Sequence, residues 1–599
     1  MTGRRSALGY AAFGNGRVLG LVGPSSEIDW LCLPRFDSPS VFGGLLDPAQ
    51  AGVFRVLSQG RRVEGRISYL RNTNVVRTEF QDGDARWDVI DFAPRLANGL
   101  ELTCPPEIIR LIRPLAGRPR LALEFDPRPD YGRAEPAWAP NDGGFRLDWP
   151  EGTLDVATNL PPPYLRNRQE FALTDPIFVS VRYGRRPSRP TLAEIQFQYD
   201  VTVEGWRRWA KTCGLPGFAA EAVLRSALCL KLHSYHETGA IIAAATTSIP
   251  EALGTERTWD YRFCWLRDAA FVVEALRRLA YLSEGERLLV FLRDVVESGP
   301  LQPLYGIAGE RQLTEEYLPH LAGYRGNGHV RIGNAASLQA QHDLMGEVVL
   351  CLETLLTDPR IAYHDPKAYF PLVKRMVDDA IRLAPIPDTG IWEFRTSLKN
   401  HTFSRAMCWV AIHRGAALAR RLGFEPEARH WEEIAERERA TVLYRAYNAD
   451  LGYFTQALDG VHPDASNLLL PTLGIVDARD PRFVATVEAT GRLLTSKGLV
   501  YRYRNPDDFG ETTSTFTICS FWYAEALAMV GRLEEAIEMF ERLLTFANPV
   551  GLFSEDIDPD TGELLGNFPQ AYTHVGLIHA AVTIGELLDA RDGRVRAWC

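Results

Sequence analysis

Near residue 190 the spacing of apolar residues changes period, and this divides the chain into two kinds of structure. Before it, short runs of aromatic and β-branched residues recur at 74–80, 86–92, 107–112, 120–125 and 177–183, separated by Gly, Pro, Asn and Asp clusters such as 140–144. Such runs suit strands, whose successive side chains turn to opposite faces. Many short strands with few helices predict an antiparallel β-sandwich over residues 1–189.

Beyond the stretch GRRPSRP, 191–212 reads as a connecting helix, placing a linker at 190–216. From 217 to 599 the apolar residues recur at helical spacing, as in 269–282, 335–356, 404–421 and 516–530. A loose theme repeats: a polar loop with Gly, Pro or Trp, an apolar helix, then a charged one. The pairs 404–421 with 425–445 and 516–530 with 533–546 show it. The region has room for about six such pairs, which predicts an (α/α)6 barrel with apolar helices inside and amphipathic ones outside.

At 599 residues the chain exceeds one compact core, and 46% hydrophobic content is ample to offset chain entropy. The net charge of −10 comes with no basic run that would track a phosphate backbone, which argues against nucleic acid. No stretch approaches the roughly 18 apolar residues a bilayer span needs. The opening MTGRRSALGYAAFGNG lacks the apolar stretch of a secretory signal. The nine cysteines are scattered singly without a CxxC pair, as expected of reduced thiols in a cytoplasmic protein. A homo-oligomer is compatible with all of this.

The chemistry is expected in five loops that precede apolar helices: 259–268 (WDYRFCWLRD), 323–334 (GYRGNGHVRIGN), 387–395 (PDTGIWEFR), 511–517 (ETTSTFT) and 551–570 (GLFSEDIDPDTGELLGNFPQ). If each enters an inner helix, all five meet at one mouth of the barrel. Aromatic rings with many hydrogen-bonding groups suit a sugar, which offers apolar C–H faces and hydroxyl edges.

Two carboxylates stand out. Glu393 follows Gly390-Ile391-Trp392, where desolvation would raise its pKa and keep it protonated, as a general acid requires. Glu555, trailed by Asp556 and Asp558, reads as a carboxylate in a polar, partly solvated loop, ionised and able to act as a base. The plain alternative for either is a solvated surface charge, one of 76 acidic residues. Trp265, Arg267 and Asp268 form a second group, with Trp265 walling a pocket while Arg267 and Asp268 bond sugar hydroxyls; the plain alternative for Asp268 is a helix N-cap.

Other apparent motifs are set aside. Gly14, Gly16 and Gly20 miss the dinucleotide spacing, and His233 with His236 lacks a third metal ligand. Asp556, Asp558 and Asp560 begin like a calcium loop, but Gly562 is one place late and Asn567 stands where Glu is needed, so a tight turn is expected. Asn400-His401-Thr402 matches a glycosylation acceptor, of little meaning in a cytoplasmic chain. Neither metal nor cofactor is expected.

At these loops the sequence resembles glycoside hydrolase family 15, the family of glucoamylases, glucodextranases and actinobacterial-type trehalases, with most likeness to its trehalase-type bacterial members. The segments that carry the resemblance run nearly end to end: 27–47 (EIDWLCLPRFDSPSVFGGLLD), 256–268 (ERTWDYRFCWLRD), 323–336 (GYRGNGHVRIGNAA), 390–395 (GIWEFR), 516–522 (FTICSFW) and 566–578 (GNFPQAYTHVGLI). The resemblance implies a β-sandwich followed by six helix pairs, and hydrolysis with inversion at the anomeric carbon. It implies Glu393 as general acid, Glu555 as general base, and Trp265, Arg267 and Asp268 as binding residues for the non-reducing glucose, with Arg325 and Trp392 beside them. One departure is the stretch 510–515 (GETTST), where related sequences carry a Glu-Glu-Gly type; it borders the outer sugar subsites and bears on the substrate. Trehalose, a small disaccharide, is the first expected substrate. Malto- and isomalto-oligosaccharides are the second, and a disaccharide phosphorylase or a non-catalytic sugar-binding protein are the remaining alternatives.

Overall fold

The computed structural model describes residues 8–98, 101–361 and 365–594. Arg4, Arg5 and Cys599 lie outside the described residues.

The N-terminal region holds two large antiparallel sheets and a two-stranded pair, Leu96–Asn98 with Glu101–Thr103. One runs Ala11–Gly14, Leu19–Val22, Ile28–Cys32, Val53–Ser58, Arg120–Asp126 and Phe171–Ala172, with Ser40–Phe42 paired to Ile28–Cys32. The other runs Ala137–Asn141, Gly144–Trp149, Gly152–Thr158, Ile177–Tyr183, Glu107–Ala116, Ala85–Phe92, Val76–Asp82 and Arg66–Tyr69. Period-two alternation decides what each face meets. Val89, Ile108, Ile112, Val179 and Val181 share a core with Leu31, Phe54 and Leu123 of the first sheet. The intervening Ile90, Ile109, Leu111 and Phe178 turn the other way and join the core of the helical region. The two regions are therefore cemented by apolar packing.

Helix α1 (Leu192–Lys211) connects them. Thr191 closes a capping box with Glu194, satisfying two otherwise orphaned backbone donors. Next come α2 (Ala220–His233), α3 (Leu266–Arg278), α4 (Ser283–Glu297), α5 (Leu344–Thr357), α6 (Phe370–Leu383), α7 (Thr402–Leu422), α8 (Glu425–Arg445), α9 (Pro481–Leu493), α10 (Thr517–Met529), α11 (Leu533–Leu544) and α12 (Ala571–Arg591). Burial differs among them. In α7, α10 and α12 most side chains are enclosed, whereas α11 buries only the stripe Ala536, Phe540 and Leu543. Helix α3 packs on α5, α5 on α7, and α7 on the short helical segment 465–473; that segment packs on α10, α10 on α12, and α12 returns to α3.

The helix expected over 335–356 is two elements. Asn334 caps a 3-10 turn at Ala335–Leu338, and α5 starts only at Leu344. The polar run Gln339–Asp343 between them faces the 387–404 segment: His342 N–H donates to Asp388 at 2.9 Å and Gln339 donates to the Glu393 carbonyl at 3.3 Å.

Candidate active site

The loop 256–265 is held from below by the N-terminal region. Arg262, 1% exposed, makes a paired contact with Asp260 and donates to Tyr131 Oη at 2.7 Å and to the Ser38 carbonyl at 2.8 Å. Trp30 donates its indole N–H to Ala245 at 2.7 Å. The loop then enters α3, presenting Trp259, Tyr261, Trp265, Arg267 and Asp268 to an open cleft. Trp265, not Asp268, occupies the N-cap position of α3, and Asp268 lies in the first turn of the helix. Its Oδ2 lies 3.5 Å from Arg267 Nε.

Glu393 reaches the same cleft from a tight turn. Glu393 N–H donates to Gly390 at 3.1 Å and Phe394 N–H to Thr389 at 3.0 Å. The turn gives Glu393 a φ of +62°, a backbone state that costs a non-glycine residue energy and occurs preferentially at functional positions. Gly390 at the head of the turn also has positive φ (+67°), and a Cβ there would sit 2.6 Å from the His401 ring. Asp508 fastens the outgoing chain, accepting from Arg395 N–H at 2.5 Å, from Thr396 N–H at 3.0 Å and from the Thr396 hydroxyl.

Burial raises the Glu393 pKa to about 7, against the pull of Arg267, whose Nη2 lies 3.4 Å from Glu393 Oε1. Its side chain keeps 27% of its surface open and lines the cleft. A carboxyl of this kind holds its proton near neutrality.

Glu555 comes from a third element. The residues around it form the hairpin of Asp556–Ile557 with Leu564–Leu565, extended by Thr515–Phe516. Tyr261 donates to its Oε1 at 2.8 Å, while Oε2 has no hydrogen-bond partner among the described residues. The expectation of a partly solvated carboxylate is corrected here: Glu555 is 1% exposed. Burial, then the charges of Asp556 and Glu251, push its pKa well above the usual range; the Tyr261 bond and Arg502 oppose them. The adjacent Asp556 is raised too, chiefly by burial and then by Glu251. Arg502 and Tyr261 are thus the groups that favour charge on Glu555 against its buried surroundings.

The cleft brings together Trp265, Arg267, Asp268, Trp392, Glu393 and Glu555. Trp392 donates its indole N–H to Asp464 at 2.8–3.0 Å and packs edge-on against Phe516. Arg325 is not among the lining residues: in a left-handed turn with a half-exposed side chain, it pairs with Glu563 at 3.0 Å. The loop 323–334 supplies no lining residue, and its place is taken by Arg502, Tyr503, Asp507, Asp508 and Phe509. That stretch, YRYRNPDDF, lies outside the five loops expected to line the site, although it is rich in the same residue types. Glu251, which bonds Trp259 Nε1 at 2.7 Å and pairs with Arg502, carried no local signal.

The motifs set aside have structural partners. His233 bonds the carbonyls of Cys229 and Pro569 at 2.8 and 3.0 Å, and Asp558 accepts from Asp560 N–H at 2.7 Å in a turn.

A cleft that holds two sequence-distant glutamates among aromatic rings carries the groups glycoside hydrolysis needs, and similarity to known proteins places the chain among the glycoside hydrolases. The chain belongs to family 15 of the glycosyl hydrolases, whose model matches residues 217–582; a model of trehalase-like N-terminal regions matches 8–155. It is 37% identical over 598 residues to a trehalase of Mycolicibacterium smegmatis, covering 94% of this chain and 89% of that protein. It is 32% identical over 606 residues to a trehalase of Thermoplasma volcanium, covering 98% and 95% respectively. A crystal structure of a bacterial glucoamylase complexed with acarbose superposes with a TM-score of 0.70 at 15% identity, covering 99% of this chain and 98% of that one. The antiparallel β region followed by a helical region is thus a fold the two share. Among the described residues no helix is long and apolar enough to cross a membrane.

Proposed function

We propose that this protein hydrolyses α,α-trehalose to two glucose molecules by a single inverting displacement. The observation that carries the reading is that Glu393 and Glu555, 162 positions apart in sequence, line one cleft with different partners, a guanidinium for one and a phenol for the other. Glu393 protonates the departing glycosidic oxygen. Glu555 takes a proton from a water on the opposite face of the sugar, and the transition state is oxocarbenium-like. Trp265 and Trp392 stack on apolar sugar faces, and Arg267 and Asp268 bond hydroxyls. Near-full-length similarity to curated trehalases supports trehalose as the substrate.

The supporting frame is a sandwich over 1–189, a linker over 190–216 and an (α/α)6 barrel over 217–599. The return of α12 onto α3 supports ring closure, with α2, α4, α6, α8, α9 and α11 outside. Eight unpaired cysteines among the described residues support a reducing, cytoplasmic setting.

Proton NMR of the anomeric signals tests the reaction. Trehalose should give α- and β-glucose in equal initial amounts, because inversion yields one β and the leaving group one α. Turnover of isomaltose or maltotriose with β-glucose appearing first, and none of trehalose, would overturn the substrate and keep the mechanism.

A further inference from the structure

Beneath the cleft, one guanidinium is outnumbered by carboxyl groups. Arg267 lies 3.4 Å from Glu393, 3.5 Å from Asp268 and 3.8 Å from Asp343. Glu347 stands one helical turn beyond Asp343 on the same face of α5. Asp343 and Glu347 are wholly buried, and none of their four carboxyl oxygens has a hydrogen-bond donor among the described residues. Asp343 occupies the N-cap position of α5 without making a capping bond, so its charge is not committed to the helix end. Four ionised carboxyls around one cation in a buried site would be strongly unfavourable, so protons must be retained within the group.

We infer that Asp343 and Glu347 share a single proton, carried by Glu347 and donated to Asp343, and that the ionised Asp343 is a positioning residue that offsets the charge of Arg267 and so keeps Glu393 protonated. A carboxylic acid one turn along the helix is the donor the Asp343 oxygens lack. Carboxyl pairs in one site commonly hold one proton between them because both cannot ionise. Burial raises both carboxyls above the ordinary range, but Asp343 lies 3.8 Å from Arg267 while Glu347 has no ion pair among the described residues, which puts the charge on Asp343 and the proton on Glu347. With Asp343 charged, Arg267 is partly neutralised from below and draws the Glu393 proton away less strongly.

The groups facing this arrangement come from several elements. Arg267 and Asp268 lie on α3, Tyr572 on α12, and Tyr261 and Arg502 on the loops beside Glu393. Asp343 is further faced by His342, by Asp388 and by Cys408 of α7. Of the three carboxyls paired with Arg267 within 4 Å among the described residues, Glu393 and Asp268 line the cleft and Asp343 does not.

The inference rests on Glu393 as the acid of the proposed reaction, and the test separates the two. The pH profile of kcat/KM is measured for the parent, Asp343→Asn and Glu347→Gln. Asp343→Asn should move the alkaline limb down by about one pH unit, the scale of one neighbouring charge. That is roughly a five-fold loss at pH 7 with little loss at pH 5. Glu347→Gln keeps a neutral donor to Asp343 and should leave the alkaline limb in place. An unmoved limb in Asp343→Asn, or an equal shift in Glu347→Gln, overturns the inference. Infrared difference spectra between the parent and Glu347→Gln decide independently of activity and of whether Asp343→Asn folds. A protonated-carboxyl band present at neutral pH in the parent and missing from the variant is expected, and no such band overturns it. Should the band be present while Glu393→Gln retains both turnover and the alkaline limb, the assignment of Glu393 fails and the proton-sharing pair stands.

Discussion

Tyr261 donates its hydroxyl hydrogen to Glu555 Oε1 at 2.8 Å, joining the loop before α3 to the hairpin before α12 across 294 positions of sequence. The bond stabilises the charged carboxylate, which burial and Asp556 oppose. Tyr261→Phe removes it without emptying the wall. The Glu555 pKa should rise, so the acidic limb of the kcat/KM profile moves to higher pH, and kcat should fall by about ten-fold. Asp556→Asn removes a repelling charge and should move the same limb to lower pH. Rate profiles on trehalose check both directions.

Glu393 is held at about pKa 7 by burial, so activity should decline as pH rises through about 7 and the acid gives up its proton. Glu393→Gln keeps the shape and removes the proton source. Turnover should drop by about 10²–10⁴-fold while trehalose still binds, which calorimetry would show. Near-normal turnover by this variant sinks the acid assignment.

Period made the two-region fold legible, and the resemblance to family 15, more than composition, singled out the two glutamates that the cleft brings together. The alternation in Ile177–Tyr183 and the apolar run of α7 are local patterns, and each structure follows from its own pattern. What stayed hidden depends on neighbours remote in sequence. Glu555 has a polar flank of acids, yet it is covered by residues from the 250s, the 500s and α12, so its burial had no local sign. Arg325 shared a motif with loops that line the cleft, but Glu563 engages it elsewhere. The stretch 502–509 enters the cleft through tertiary pairing, with Asp507 clamped by both terminal nitrogens of Arg257 at 2.8 and 2.6 Å.

Arg262 and Asp260 form a fully buried ion pair under the cleft loop. Removing one member of such a pair leaves an uncompensated charge. Arg262→Met should therefore cost about 3–5 kcal/mol. Arg262→Met with Asp260→Asn should recover part of that loss, since no charge is then stranded. Urea unfolding of the single and double variants checks the order. Because Arg262 also anchors the loop to Tyr131 and Ser38, a KM increase should accompany the single variant.

Gly390 sets the geometry of the turn that carries Glu393. Its φ of +67° is open to glycine, and an added Cβ would meet the His401 ring at 2.6 Å. That ring lies parallel to Phe394, the residue after Glu393, with centroids 5.5 Å apart, so it cannot withdraw without disturbing the turn. Gly390→Ala should cost about 1–3 kcal/mol in stability from backbone strain alone. The larger effect should fall on catalysis, because a displacement of about 1 Å at a reacting group can cost about 10²-fold. A thermal melt and kcat measured together separate the two. A variant that loses stability and keeps kcat would mean the turn tolerates the strain without moving Glu393, and that its positive φ serves folding rather than the reaction.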